Sequence, residues 1–156
     1  MEQFFYELTH NYVLVCAGCS WAIAQVIKFF INFFVTGKAD FLRLVGDGGM
    51  PSCHSATVTS MACMSLIVYG PGSFEFAVTA LIAIIVMHDA MGVRLETGKQ
   101  AKILNDLMEM FSNFEDLSDG FSNEKLKELV GHTPLQVIAG AFLGFVISLI
   151  FADIWF

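Results

Sequence analysis

Residues Tyr12 to Val35 read YVLVCAGCSWAIAQVIKFFINFFV, an apolar run interrupted by Gln25, Lys28 and Asn32. A helix crossing a bilayer needs about 20 mostly apolar residues, so this stretch is long enough to span. Three more follow: Pro51 to Tyr69, closed by the turn signal Gly70-Pro71-Gly72, then Phe74 to Val93, and Pro134 to Phe156. The second is the least apolar because of its Ser and Thr residues. Their hydroxyls can bond the preceding helical turn or a neighbouring helix, so a helix inside a bundle tolerates them.

The composition agrees with this reading. The chain has 156 residues, 56% of them hydrophobic and 15% charged, with 16 Phe and a formal net charge of −7. A soluble domain carries roughly 25% charged and 45–50% apolar residues, and a nucleic-acid binder shows a basic excess. The expected fold is an all-α integral membrane helical bundle, one domain over 1–156. It has about four transmembrane helices, spanning 12–35, 51–69, 74–93 and 134–156.

The few cations orient the bundle. Lys38 and Arg43 fall between spans one and two; Arg94, Lys99, Lys102, Lys125 and Lys127 fall between spans three and four. Lys28 is left to snorkel from the end of span one. The positive-inside rule therefore places both long loops on the cytoplasmic side and both termini opposite, in a multi-pass protein of the plasma membrane. In the second long loop Leu104, Leu107, Met108, Phe111 and Phe114 recur at helical spacing. They predict an amphipathic cytoplasmic helix covering that end of the bundle, with a further short helix from Ser122 or Asn123 through Val130. Gly140 and Gly144 have the small-xxx-small spacing of helix association, which suggests a homodimer.

Cysteines are few and scattered. Cys16 and Cys19 have CxxC spacing but sit in hydrocarbon with no second pair, so they are read as small packing residues. Reactive residues gather elsewhere: Ser52, Cys53 and His54 at the start of span two, His88 and Asp89 at the end of span three, Arg94 and Lys99 just beyond, and His132 before span four. In the topology above all lie at one membrane face, and ionisable groups at membrane depth are functional candidates. The segment Gly48-Gly49-Met50-Pro51-Ser52-Cys53-His54-Ser55 places flexible glycines before a helix start, where free N–H groups favour phosphate. Pro51 is expected in the first helical turn.

Pro51-Ser52-Cys53-His54-Ser55 resembles the P-S-G-H-S motif of the type 2 phosphatidic acid phosphatase superfamily, which includes acid phosphatases and vanadium-dependent haloperoxidases. His132-Thr133-Pro134 through Gly140 is similar to its third motif. Together with Asp89 to Arg94 and Gly98-Lys99-Gln100-Ala101, the pattern looks like the superfamily's divergent membrane branch. The resemblance implies phosphate removal from a lipid phosphomonoester or pyrophosphate, on a phospholipid or isoprenoid substrate, without metal or other cofactor. His132 would be the nucleophile, forming a phosphohistidine, and His54 the general acid, with Ser52 and the Cys53 backbone contacting phosphate.

The sequence departs from the pattern in three respects. Gln136 stands where the superfamily has an orienting Asp, Leu126 where it has an Arg, and Lys38 and Arg43 only loosely replace the first-motif cations. Arg94 and Lys99 are candidate substitutes for the missing charge, and Asp89 for orienting a histidine; Gln136, His88 and Arg43 are candidate support. Two alternatives stay open: a degenerate protein that binds lipid phosphate without turnover, and a divalent metal site from His54, His88, Asp89 and His132. Cys53 is not read as a thiol phosphatase nucleophile, because Thr59 rather than Arg stands six residues on.

Overall fold

A computed structural model describes residues 1–37, 49–112, 126 and 131–156. Six helices follow in order: α1 (Glu2–Thr9), α2 (Tyr12–Thr36), α3 (Cys53–Tyr69), α4 (Phe74–Met91), α5 (Val93–Ser112) and α6 (Pro134–Trp155). Among the described residues there is no strand, and the protein is an all-α membrane bundle. Arg43 and the expected helix from Ser122 or Asn123 lie outside the described residues.

Four helix starts, those of α2, α3, α4 and α6, carry a side-chain cap. Asn11, Ser52, Ser73 and Thr133 accept from Leu14, Ser55, Phe76 and Gln136 N–H respectively, relieving donors that would be orphaned in lipid. Helix α2 stops at Gly37, whose φ of 69° is left-handed, a conformation open to glycine at little cost. α4 ends two residues before the expected Val93, because Gly92 leaves helical geometry at φ −100°, ψ −94°; α5 resumes at once.

Helix α3 is central, packing against α2, α4 and α6. Cys16 of α2 meets Met64 of α3 and Ile147 of α6, while Lys28 of α2 reaches Cys53 at the start of α3. Consecutive spans therefore alternate in direction, which leaves α3 and α6 parallel, with Gly140 beside Ser52 and Gly144 beside Ala56, and the connections after α2 and between α4 and α6 share one end. Tyr12, Trp155 and Phe156 pack at the other end, with ring centroids 5.0 and 5.4 Å from Tyr12, as in an interfacial aromatic belt.

The hydroxyl content of α3 suits this central place. Ser20 Oγ of α2 donates to the Ala56 carbonyl at 3.1 Å, Ser60 Oγ to Thr57 O at 2.9 Å and Thr57 Oγ1 to Cys53 O at 2.8 Å. Gly140 and Gly144 let α6 lie directly on α3: a Cβ on either would overlap the carbonyl oxygen of Ser52 or Ala56. The small-xxx-small pair is thus consumed inside one chain, which corrects its reading as dimer contact. Outward side chains are the large apolar ones, including Leu135, Ile138, Phe142 and Ile154 at 63–69% exposure. In water such a continuous patch is a liability; against acyl chains it is the required surface.

Two elements differ from expectation. α1 has no counterpart in the sequence reading; its residues are exposed. α5 begins well before Leu104 and turns a small-residue face inward, with Gly98, Ala101 and Asn105 buried, leaving Ile103, Leu104, Leu107 and Met110 exposed. The leucines do not cover the bundle. The inward contact is polar: Asn105 Nδ2 donates to Leu126 O and its Oδ1 accepts from Leu126 N–H, both at 2.9 Å.

Candidate functional site

The site is built where α2 ends and α3 and α6 begin. Pro51 precedes the helix instead of entering its first turn: the N-cap is Ser52 and the helix opens at Cys53. That shift has a local cause. Ser52 Oγ accepts both Ser55 N–H at 3.3 Å and Ser55 Oγ–H at 2.9 Å, while its own N–H donates to Gln136 O at 3.1 Å. Ser52 is fully buried, so this hydroxyl holds the turn closed.

Two residues on, His54 is half-buried on the first turn of α3. His132 is held by its backbone, donating its N–H to the Ala90 carbonyl at the end of α4 at 3.0 Å. The preceding Gly131, at φ +87°, lies so close to the backbone of Arg94 and Leu95 that no side chain fits there. His132 is 4% exposed. The two imidazoles face one another with centroids 6.4 Å apart.

Gln136 sets the state of His132. Its Oε1 accepts Thr133 N–H at 3.1 Å, completing the capping box of α6, and lies 3.2 Å from His132 Nδ1. An amide oxygen only accepts, so Nδ1 carries a proton and Nε2 is the basic nitrogen of the neutral ring. The tautomer is thus assigned from the network. A nitrogen poised in this way can attack phosphorus.

Lys28 is the residue the sequence reading misplaced. It does not snorkel: it is 2% exposed, and Nζ donates to Cys53 Sγ at 3.6 Å. Gly49, at φ +88°, lies against its stem, where an added Cβ would sit 3.4 Å from Lys28 Cγ and Cδ. Cys53 Sγ is in turn 3.8 Å from His54 Nδ1. Snorkelling and inward-turning lysines have the same spacing in sequence; the available signal was that Lys28 shares a helix face with Ala17, Ser20 and Ala24, a small-residue face suited to close packing.

The remaining candidates are engaged at the rim. Arg94 Nε donates to Asp89 Oδ2 at 2.6 Å, and Lys99 Nζ to Glu96 Oε1 at 2.6 Å, with all four side chains between 37% and 60% exposed. Asp89 therefore orients an arginine, and His88 is exposed. Among the described residues no group of three or more His, Cys, Asp or Glu side chains is placed to hold a metal ion, so His54, His88, Asp89 and His132 do not form the metal site left open above.

The chain is a helical membrane bundle that brings two imidazoles together at the starts of α3 and α6, and comparison gives its family. A model of the Divergent PAP2 family matches residues 9–147; the chain belongs to that family. It is also 39% identical over 153 residues to the Bacillus subtilis (strain 168) protein described as "Uncharacterized membrane protein YuiD", covering 94% of this chain and 97% of that one. No solved structure matches.

Proposed function

We propose that the protein is a membrane phosphatase that removes phosphate from a lipid phosphomonoester or pyrophosphate. The supporting observation is the facing pair His54 and His132, with ring centroids 6.4 Å apart. An in-line attack needs the nucleophile roughly 3–3.5 Å from phosphorus and an acid within about 3 Å of the leaving oxygen, and two imidazoles this near one another can serve both roles on one phosphoryl group. His132 Nε2 attacks phosphorus, the bond to the leaving oxygen breaks, and His54 as imidazolium protonates that oxygen. Water then cleaves the phosphohistidine, with His54 now accepting its proton. Lys28 supplies positive charge for the phosphoryl oxygens, a role the sequence reading gave to Arg94 and Lys99. Seven of the eight Lys and Arg residues fall in the two long loops, a placement that supports a cytoplasmic site in a plasma-membrane protein.

One observation favours a second reading, phosphate binding without turnover: the partner of His132 Nδ1 is the neutral Gln136, which cannot offset an imidazolium by charge. Both readings meet one experiment. Detergent-purified protein is given a panel of lipid phosphates and pyrophosphates with chelator present, and phosphate release is measured alongside labelled phosphohistidine. Turnover should fall by about 10²–10⁴ in His132→Ala and in His54→Ala. Absence of release by wild type, or unchanged release in His132→Ala, overturns the phosphatase; retained lipid phosphate binding in that case supports the second reading.

A further inference from the structure

The structure describes four free cysteines. Cys16 is enclosed by Met64 and Ile147 in the apolar core, and Cys19 and Cys63 also lie within the spans, away from the histidines. Cys53 has different company. Its sulfur accepts from the Lys28 ammonium at 3.6 Å and lies 3.8 Å from His54 Nδ1, so one thiol is flanked by an amine and an imidazole at the phosphate end of the bundle. The reactive form of a thiol is the thiolate; the ammonium donates to the sulfur, and the imidazole is a group that can take up its proton.

We propose that Cys53 is a peroxide-sensitive thiol whose oxidation to a sulfenic acid switches off phosphate binding at this site. The inference rests on the preceding reading for access. Cys53 is 1% exposed and His132 4%, so an opening that admits a phosphoryl group to His54 and Lys28 also admits hydrogen peroxide, a smaller molecule, to the sulfur that lies against both. In the step, sulfur attacks one peroxide oxygen, the O–O bond breaks, and the departing hydroxide takes up the thiol proton as water. Cys53–SH and HOOH become Cys53–SOH and H₂O; sulfur is oxidised and peroxide reduced. The added oxygen lies between Lys28 and His54 and competes for the ammonium that would hold phosphate. Sulfenic acids are reversed by thiols, so the switch resets in a reducing compartment.

The test uses the whole protein in detergent, reduced and then exposed to a few equivalents of hydrogen peroxide. Denaturation in the presence of dimedone then traps every sulfenic acid regardless of burial, and peptide mass mapping assigns it. Cys53 should be labelled about tenfold more than Cys16, Cys19 or Cys63, as expected for a thiolate-forming site, and inorganic phosphate present during oxidation should slow that labelling severalfold. In wild type, lipid phosphate binding should fall with Cys53 labelling and return on adding dithiothreitol. Equal labelling of all four cysteines, no protection by phosphate, or full binding at full labelling overturns the proposal. None of these readouts requires turnover, so a protein that releases no phosphate but passes them refutes the phosphatase and keeps the switch. Lys28→Met should lower Cys53 labelling severalfold; the wild-type ranking stands as the test if that variant does not fold.

Discussion

Lys28 is a buried cation on a membrane-spanning helix, 2% exposed, and cations at such depth are expensive unless they serve a site. This gives a prediction for function. Lys28→Met keeps the unbranched stem and removes the charge. Lipid phosphate binding should weaken by about tenfold or more, as expected on losing a charge-assisted contact. A variant equal to wild type in binding would make Lys28 a packing residue. The histidines were legible in the sequence because they sit beside helix-starting signals, Pro51-Ser52 and Thr133-Pro134. Lys28 was not, because the rotation of α2 depends on the small residues it packs against and not on its own periodicity.

Among the elements, α3 and α6 approach more closely than ordinary side chains permit, with Gly144 placed on the Ala56 carbonyl. Gly144→Val should force the two helices apart and cost about 1–3 kcal/mol, the usual range for overpacking, read as a lower unfolding midpoint in detergent. Gly18, in α2, is the control: nothing lies within 4 Å of an added Cβ. Gly18→Ala should stabilise by up to ~1 kcal/mol through helix propensity alone. Equal effects of the two substitutions would refute the close crossing. The spacing of Gly140 and Gly144 announced a helix contact in sequence; whether the partner was a second copy or α3 is a question of tertiary packing, which spacing does not encode. The same limit applies to α5, whose apolar residues suggested an inward face while Gly98, Ala101 and Asn105 take that place.

At the level of the whole molecule, alternating helix directions bring the connection after α2, the connection between α4 and α6, and both histidines to one end. By the positive-inside rule that end is predicted to face the cytoplasm. The expected outcome is that a cysteine introduced by Gly72→Cys, in the short turn between α3 and α4, reacts with an impermeant maleimide on intact cells. Gln100→Cys on α5 should react only after permeabilisation. The reverse pattern moves the site to the other face of the membrane. The long apolar helices, and the gathering of His54 and His132 at one end, were readable because they follow from run length and the order of the segments. The centrality of the hydroxyl-rich α3 was not, since the least apolar span occupies the middle only once three more apolar neighbours surround it.

Gln136 Oε1 serves two donors at once, the Thr133 amide that starts α6 and the ring of His132. Occupancy of the imidazole and fraying of the helix terminus are therefore thermodynamically linked, because a ligand that favours the oriented ring also favours the closed cap. Amide hydrogen exchange makes this measurable: inorganic phosphate should slow exchange at Thr133 while leaving the amides near Trp155 unchanged. The first turn of α6 would then act as a built-in reporter of site occupancy, read without any turnover.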